Sequence, residues 1–296
     1  MERKLNTVIL KVEDGIATVM MSRPQRRNAL NEEMFGELVP VLAEVARDDA
    51  VRVVVFTGAG RDFSGGADLG TGEGRERILE EPDAEAIRRG LLRSQDVVRH
   101  LHGMEKPTIA MVNGTAAGGG FDWALACDIR IASEHARFRS FTQIGLIPGQ
   151  AGAWFMFHLM GYAKACQMLF TADIINAQDA LQMGLVNKVV PHDRLEPETY
   201  DMARRMAAQA PIALRLDKLL LRKAHEMSLD TALEIAAAVQ PILLVLEDLH
   251  DADRGTLDLL VHLARNLQGA RLLVVGTYRD VEVDRSHPLS AVLAEL

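Results

Sequence analysis

The sequence predicts an α/β fold, and three of its features carry that prediction. Continuously apolar runs occur at 51–60, "VRVVVFTGAG", and at 107–114, "PTIAMVNG". Runs of this kind suit strands buried on both faces, as in a parallel sheet covered by helices. Each run ends at glycine, and helical apolar spacing follows each glycine-rich loop. Finally, helical patterns dominate from residue 163, at 163–170, 177–183, 197–209, 211–225 and 229–239. That tail reads as an added packing or oligomerisation region.

The elements follow in order. Residues 7–21, "TVILKVEDGIATVMM", are two strand-forming runs around Asp14-Gly15, a pair suited to the positive φ angles of a tight hairpin turn. "SRPQRRNAL" is a loop, and Asn31 stands where a side chain would cap a helix over 32–46. After the strand at 51–60 comes the glycine-rich loop "RDFSGGADLGTGEGRER", then helical spacing over 84–101. The strand at 107–114 leads through "AAGGGFDWALACD" into a short helix at 122–126, and "DIRIAS", 128–133, is a third strand. The texture changes after Gln240: an apolar strand, a helix at about 254–266 and a strand at 271–277 form a fresh strand–helix–strand unit. The organisation expected is a core over 1–190, a helical region over 191–240 and an appended segment over 241–296.

Composition narrows the function. The chain has 296 residues, of which 48% are hydrophobic, enough for a sizeable core. A formal charge of −8 argues against nucleic-acid binding, which needs a basic face. Two cysteines, Cys127 and Cys166, exclude a disulfide framework and suit a reducing compartment. The opening "MERKLNTVILKVEDG" has no signal-peptide core, and no apolar stretch reaches membrane-spanning length. The expectation is a cytoplasmic protein with no membrane partner and no metal site.

Chemistry concentrates at the glycine run. Three consecutive glycines bring something close to the main chain, where one would make a turn. Peptide N–H groups at a helix start lack intrahelical acceptors and carry the positive end of the helix dipole. Two such donors from separate loops can hold an oxygen as it becomes negative. The loops on offer are "SGGADL", 64–69, and "AAGGGFD", 116–122, each following a buried strand. The competing reading makes both of them plain strand-to-helix turns.

Taken together, "SRPQRRNAL", "FSGGADL", "NGTAAGGGFDWALACDIRIAS", "GLIPGQAGAW" and "TADIINAQDALQMGLVNKVVP" resemble the enoyl-CoA hydratase/isomerase (crotonase) superfamily in order and spacing, over about residues 5–239. The resemblance implies a spiral of ββα units, assembly as a homotrimer or hexamer, and an acyl-CoA thioester substrate, with CoA part of the substrate and no separate cofactor. It implies a thioester enolate held by the backbone N–H groups of Ala67 and Gly119. It also implies a CoA contact around Arg26, Arg27 and Ala29, whose arginines could equally be solvated surface cations. Gly66, Asp68, Leu69, Gly118, Phe141 and Gln150 would complete the substrate site.

The chain departs from that pattern. Where the family's hydratases carry a first glutamate, it has Asp122; at the second it has Phe141 or Thr142, and no Asp or Glu occurs from His135 to Ala172. After "IP", where some relatives place an acid, it reads Gly149-Gln150. Hydration needs a group to take a proton from water and a source to return one to carbon, whereas a 1,3-proton shift can use a single base. Asp122 is thus the candidate acid/base, with helix capping as the competing role. His158 and Cys127 read as packed residues. The readings left open are an isomerase or weak hydratase, a catalytically silent CoA-ester binder, and, least favoured, an ATP-dependent regulator.

That last reading comes from residues 241–296. "ILLVLEDLHDADRGTLDLL" and "RLLVVGTYRD" resemble a fragment of a P-loop ATPase of bacterial regulators, with Glu247-Asp248 as its magnesium-handling pair. No G-x-x-x-x-G-K-[ST] phosphate loop accompanies it.

Overall fold

Asp14 and Gly15 both take positive φ, 50° and 74°, and turn β2 (Val8–Glu13) back onto β3 (Ile16–Met21) in antiparallel register from Val8↔Met21 to Glu13↔Ile16. The hairpin expected from the sequence is present in this computed structural model, which describes residues 1–70, 84–239, 242–246, 248–266, 272–279, 283 and 287–295. A short strand not anticipated from the sequence, β1 (Glu2–Lys4), pairs with the outer edge of β2. Asn31 caps α1 (Glu32–Arg47): its side chain accepts the Met34 N–H at 3.1 Å. Met34, Phe35, Leu38, Val41, Leu42 and Val45 form the buried stripe of that helix, at the spacing an amphipathic helix requires.

From β3 the sheet runs parallel. β4 (Val53–Gly58) pairs with β3 in register Ile16↔Val53, β5 (Thr108–Val112) with β4 in register Val54↔Thr108. Between these strands the chain returns through α2 (Ala84–Gly103). β6 (Thr115–Ala117) and α3 (Gly119–Ala126) precede β7 (Ile129–Ser133), which pairs with β5. β8 (Arg137–Arg139), α4 (Gly152–Met160), α5 (Tyr162–Thr171), β9 (Ile175–Asn176) and α6 (Ala177–Met183) lead to β10 (Lys188–Val190), the last strand of the sheet. Among the described residues the order is β1-β2-β3-β4-β5-β7-β10, with β6-β8-β9 as a small second sheet. The second sheet was not legible in advance, because strands of two or three residues carry no period.

Both faces of the large sheet are covered, which explains the unbroken apolar runs. Val54, Phe56, Ala110 and Val112 join a core with residues of α1, α2 and α3. Val53, Val55, Ile109 and Met111 point the other way, against Leu195 and Ala203 of α7 (Leu195–Ala207). Successive strand residues face opposite sides, so each strand feeds two cores. On that second side the Tyr200 and Thr18 hydroxyls meet at 2.5 Å.

The described residues divide into two compact units, Met1–Lys218 and Leu219–Leu296. The division falls inside α8 (Pro211–Lys223). The physical reason lies in α7, which closes a face of the sheet, and in Lys218, whose Nζ donates to Asp128 Oδ2 at 2.7 Å and to the Lys106 carbonyl at 2.9 Å. The second unit holds α9 (Leu229–Val239), then β11 (Ile242–Leu246), α10 (Arg254–Asn266) and β12 (Leu272–Gly276), with β11 and β12 parallel, and finally α11 (Pro288–Glu295). The strand–helix–strand reading of this segment therefore holds. Leu249, Leu257, Leu260, Val261, Leu289 and Val292 form its own apolar cluster.

Candidate active site

β4 and β5 are parallel neighbours, so the loops leaving their C-terminal ends emerge side by side, the usual place for a site in such a sheet. Those are the two loops singled out from the sequence. Ser64 and Ala116 form a parallel bridge, with the Ser64 N–H donating to the Thr115 carbonyl and the Ala117 N–H to that of Ser64, both at 2.9 Å. Gly66 and Gly118 lie close together: a Cβ on Gly118 would be 3.8 Å from the Gly66 Cα. Neither the Ala67 nor the Gly119 amide donates a hydrogen bond among the described residues.

A third loop locks these two in place. Asn28 is fully buried in a left-handed conformation, φ 51°. Its side-chain amide donates to the carbonyls of Ala59 (2.9 Å) and Asp62 (2.8 Å), while its oxygen accepts the Arg23 N–H. Ser64 Oγ donates to the Asn28 carbonyl, and the Leu30 N–H to that of Gly66, both at 2.9 Å. Sequence reasoning passed over Asn28; the signal was an Asn inside a loop, the non-glycine residue most at ease at positive φ.

The glycine run is packed against side chains of the protein itself. A Cβ on Gly118, at φ 50°, would lie 2.8 Å from a ring carbon of Phe141. One on Gly119 would lie 2.5 Å from Gln150 Nε2, and one on Gly120 would collide with Ser64 Oγ. Three side chains from three other segments thus come close to this main chain. Phe141, one of the two residues at the expected place of the second acid, packs its ring over Gly66 and Gly118.

Asp122 lies elsewhere in its helix than the sequence suggested. α3 begins at Gly119, three residues early, with Gly118 as its cap. Asp122 is the fourth residue of the helix, its N–H bonded to the Gly118 carbonyl, so it does not cap α3. Its carboxyl faces the head of α4: the Gln150 N–H donates to Oδ2 at 3.2 Å, and a Cβ on Gly152 would collide with Oδ1. Asp122 is only 2% exposed. Burial pushes its pKa up to about 7, against the opposing pull of the Gln150 and Gly152 amides. An acid poised near neutrality can both take and return a proton.

The expected CoA-contact residues are engaged with carboxylates. Arg26 and Arg23 both donate to Asp68, at 2.7 and 2.9 Å, and Arg27 makes a two-pronged pair with Asp62 at 2.9 and 3.0 Å. Partial burial alone would raise both acids, but the guanidinium hydrogen bonds outweigh it and hold each below the usual carboxylate range. The Ala29 carbonyl accepts from Arg23. Leu69 follows Asp68, half-buried. Gly66, Gly118 and Phe141 are thus brought together, and so are Gly119, Gln150 and Asp122. Ala67 follows Gly66 in the chain, and Arg26 and Ala29 join Asp68 through the hydrogen bonds of Arg26 and Arg23.

His158 lies on α4 with its ring 4.0 Å from that of Trp154. Cys127 is buried, which pushes its thiol up to about 12, an inert group at neutral pH. Among the described residues no three His, Cys, Asp or Glu side chains could hold a metal ion, and no helix is long and apolar enough to cross a membrane.

Comparison with known proteins gives a consistent picture. The sequence model of a family described as enoyl-CoA hydratase/isomerase matches residues 11–248. The chain is 39% identical over 232 residues to a short-chain-enoyl-CoA hydratase of Clostridium acetobutylicum, covering 78% of this chain and 86% of the relative. It is 34% identical over 232 residues to a 1,2-epoxyphenylacetyl-CoA isomerase of Escherichia coli, covering 77% and 86%. The crystal structure of an enoyl-CoA hydratase from Bacillus anthracis superposes with a TM-score of 0.74 at 30% identity, covering 79% of this chain and 89% of that one.

Proposed function

Because this chain belongs to the enoyl-CoA hydratase/isomerase family and has its mixed α/β, crotonase-like fold, we propose that it is an enzyme of that type in which Asp122 alone moves the proton. An acyl-CoA thioester enters with its carbonyl oxygen accepting the Ala67 and Gly119 amides. Asp122 removes a proton from C2 of a 3-enoyl thioester. The C–H electron pair passes through C1 to the thioester oxygen, forming an enolate that the two amides stabilise. As the enolate collapses, the double bond moves to C2–C3 and Asp122 returns the proton at C4. Nothing is oxidised or reduced, and one base suffices.

The observation that carries this reading is Asp122 itself, a buried acid with a pKa of about 7 in the helix that begins at Gly119. Arg26 and Arg27, fixed in orientation by Asp68 and Asp62, would meet the phosphates of CoA. Assembly as a homotrimer or hexamer follows from the family resemblance, and exposed Ile147, Tyr162 and Phe170 are apolar side chains that an interface would cover. For Leu219–Leu296 we propose no nucleotide chemistry: of the Glu247-Asp248 pair, Glu247 lies outside the described residues, and Asp248 is exposed at φ 53°.

The test is Asp122→Asn assayed with a 3-enoyl-CoA. Turnover is expected to fall by about 10²–10⁴-fold, with the CoA ester still bound. In the unaltered enzyme kcat should rise with pH through about 7, as the carboxyl ionises. A variant as active as its parent would remove Asp122 from the mechanism. An unaltered protein that binds the ester without turning it over would be a silent CoA-ester binder.

A further inference from the structure

β7 and β10 are parallel neighbours, paired with Val190 opposite Ser133. His135 and His192, each two residues further along its own segment, therefore leave the sheet side by side. Their ring centroids are 5.7 Å apart with the planes inclined by 30°, and both residues are exposed. The His192 ring is anchored: its Nδ1 lies 3.1 Å from the Oγ of Ser133, a fully buried residue. The same Oγ accepts the His135 N–H at 3.2 Å, and a Glu134 carboxylate oxygen accepts the His192 N–H at 3.4 Å. Strand register and these hydrogen bonds bring two imidazoles from distant parts of the chain to one place.

A hydroxyl that accepts Nδ1–H leaves the lone pair of Nε2 free, which is the tautomer of a metal-ligating histidine. The His135 ring meets that of His192 but no hydrogen-bond partner among the described residues, so it is free to turn. Distance decides whether one ion reaches both. Zinc binds an imidazole nitrogen at about 2.0–2.1 Å, which puts the ring centroid about 3.1 Å from the ion. Two rings on one ion then stand about 5 Å apart at a tetrahedral angle, and at most about 6.2 Å apart. The observed 5.7 Å lies within that reach. We propose that His135 and His192 form a site for an imidazole-preferring divalent ion, Zn²⁺, Ni²⁺ or Cu²⁺, with water completing its coordination.

The donor set defines the class of ion. Neutral ring nitrogens suit these borderline ions, with Cu²⁺ bound most tightly, whereas Mg²⁺ and Ca²⁺ require oxygen ligands. Two protein ligands also make the ion exchangeable, unlike the four-ligand zinc of a structural site. The Glu134 carboxylate, held at the His192 N–H, sets negative charge beside the cation. A bound ion would tie the end of β7 to that of β10 and stabilise the sheet edge only while it is present. None of these residues belongs to the proposed active site, so the inference does not depend on how that site is read.

The test is calorimetric titration of the full-length protein with Zn²⁺ alone, and with Mg²⁺ as the control. One Zn²⁺ per chain should bind at a site that His135→Asn and His192→Asn each weaken by about 100-fold or more, and Ser133→Ala by about tenfold. Cu²⁺ held at the same site should show the electron-spin coupling of two imidazole nitrogens, reduced to one in either histidine variant. Should His192→Asn fail to fold, the variant of the exposed His135 decides. A parent protein that binds Zn²⁺ more weakly than about 1 mM overturns the proposal. So does a histidine variant that binds the ion as well as the parent does, or Mg²⁺ bound as tightly as Zn²⁺.

Discussion

At the scale of single residues, Asp122 is where burial and chemistry meet. Its carboxyl is removed from water, and only two peptide amides favour the charged form. In the unfolded chain an aspartate ionises near the ordinary value of 3.8; folded, this one ionises near 7. A raised folded-state pKa adds stability that is complete below the unfolded value and is lost as pH rises through the folded one. The window is therefore about pH 4 to 7, and the loss is on the order of 4 kcal/mol at about 1.4 kcal/mol per unit. An asparagine at this position would not titrate. Unfolding free energies measured across that range should show Asp122→Asn gaining on the parent by roughly that amount as pH climbs. A difference that stays flat would mean the carboxyl titrates in the folded state as it does in water.

Elements explain why so few residues suffice. The loops at 23–30, 58–68 and 113–119 have little regular structure, yet each is tied to the next by backbone bonds, and Asn28 and Asn113 each bond to carbonyls of the middle loop. Asn28 holds a left-handed turn and satisfies two buried carbonyls at once. Asn28→Ala should cost about 2–4 kcal/mol, from unpaired buried groups plus the strain of alanine at positive φ. Denaturant unfolding checks this, and a cost under about 0.5 kcal/mol would mean that the other loop contacts hold the turn unaided. The head of α4 works with these loops. It supplies the amides that face Asp122 and, one residue before its Ala151 cap, the Gln150 carboxamide.

For the whole molecule, every proposed site residue lies within Met1–Lys218, and so do both tryptophans, Trp123 and Trp154. Trp123 is fully buried with its ring edge-on to Phe35 and Phe56. Tryptophan emission thus reports the unfolding of that unit. An acyl-CoA at a hundredfold excess over its Kd should stabilise it by about 2.7 kcal/mol, seen as a higher midpoint of the fluorescence transition. No shift with any acyl chain length would count against a CoA-ester site in this unit.

The sequence by itself determined the hairpin at Asp14-Gly15, the cap at Asn31, the doubly buried strands within 51–60 and 107–114, and the two glycine loops of the proposed site. These are local: each is set by φ preferences, hydrogen-bonding reach or apolar period within a few residues. It also exposed the missing second acid, because the absence of Asp and Glu from 135 to 172 can be read directly. The tertiary structure alone decided that the glycines make room for Phe141, Gln150 and Ser64, that Asp122 faces the head of α4 rather than capping its own helix, and that Arg26 and Arg27 pair with Asp68 and Asp62. Each of those contacts joins residues some 20 to 60 positions apart. Strand order and register bring them together, and the pKa of Asp122 follows from the burial that results, a quantity no local pattern of residues contains.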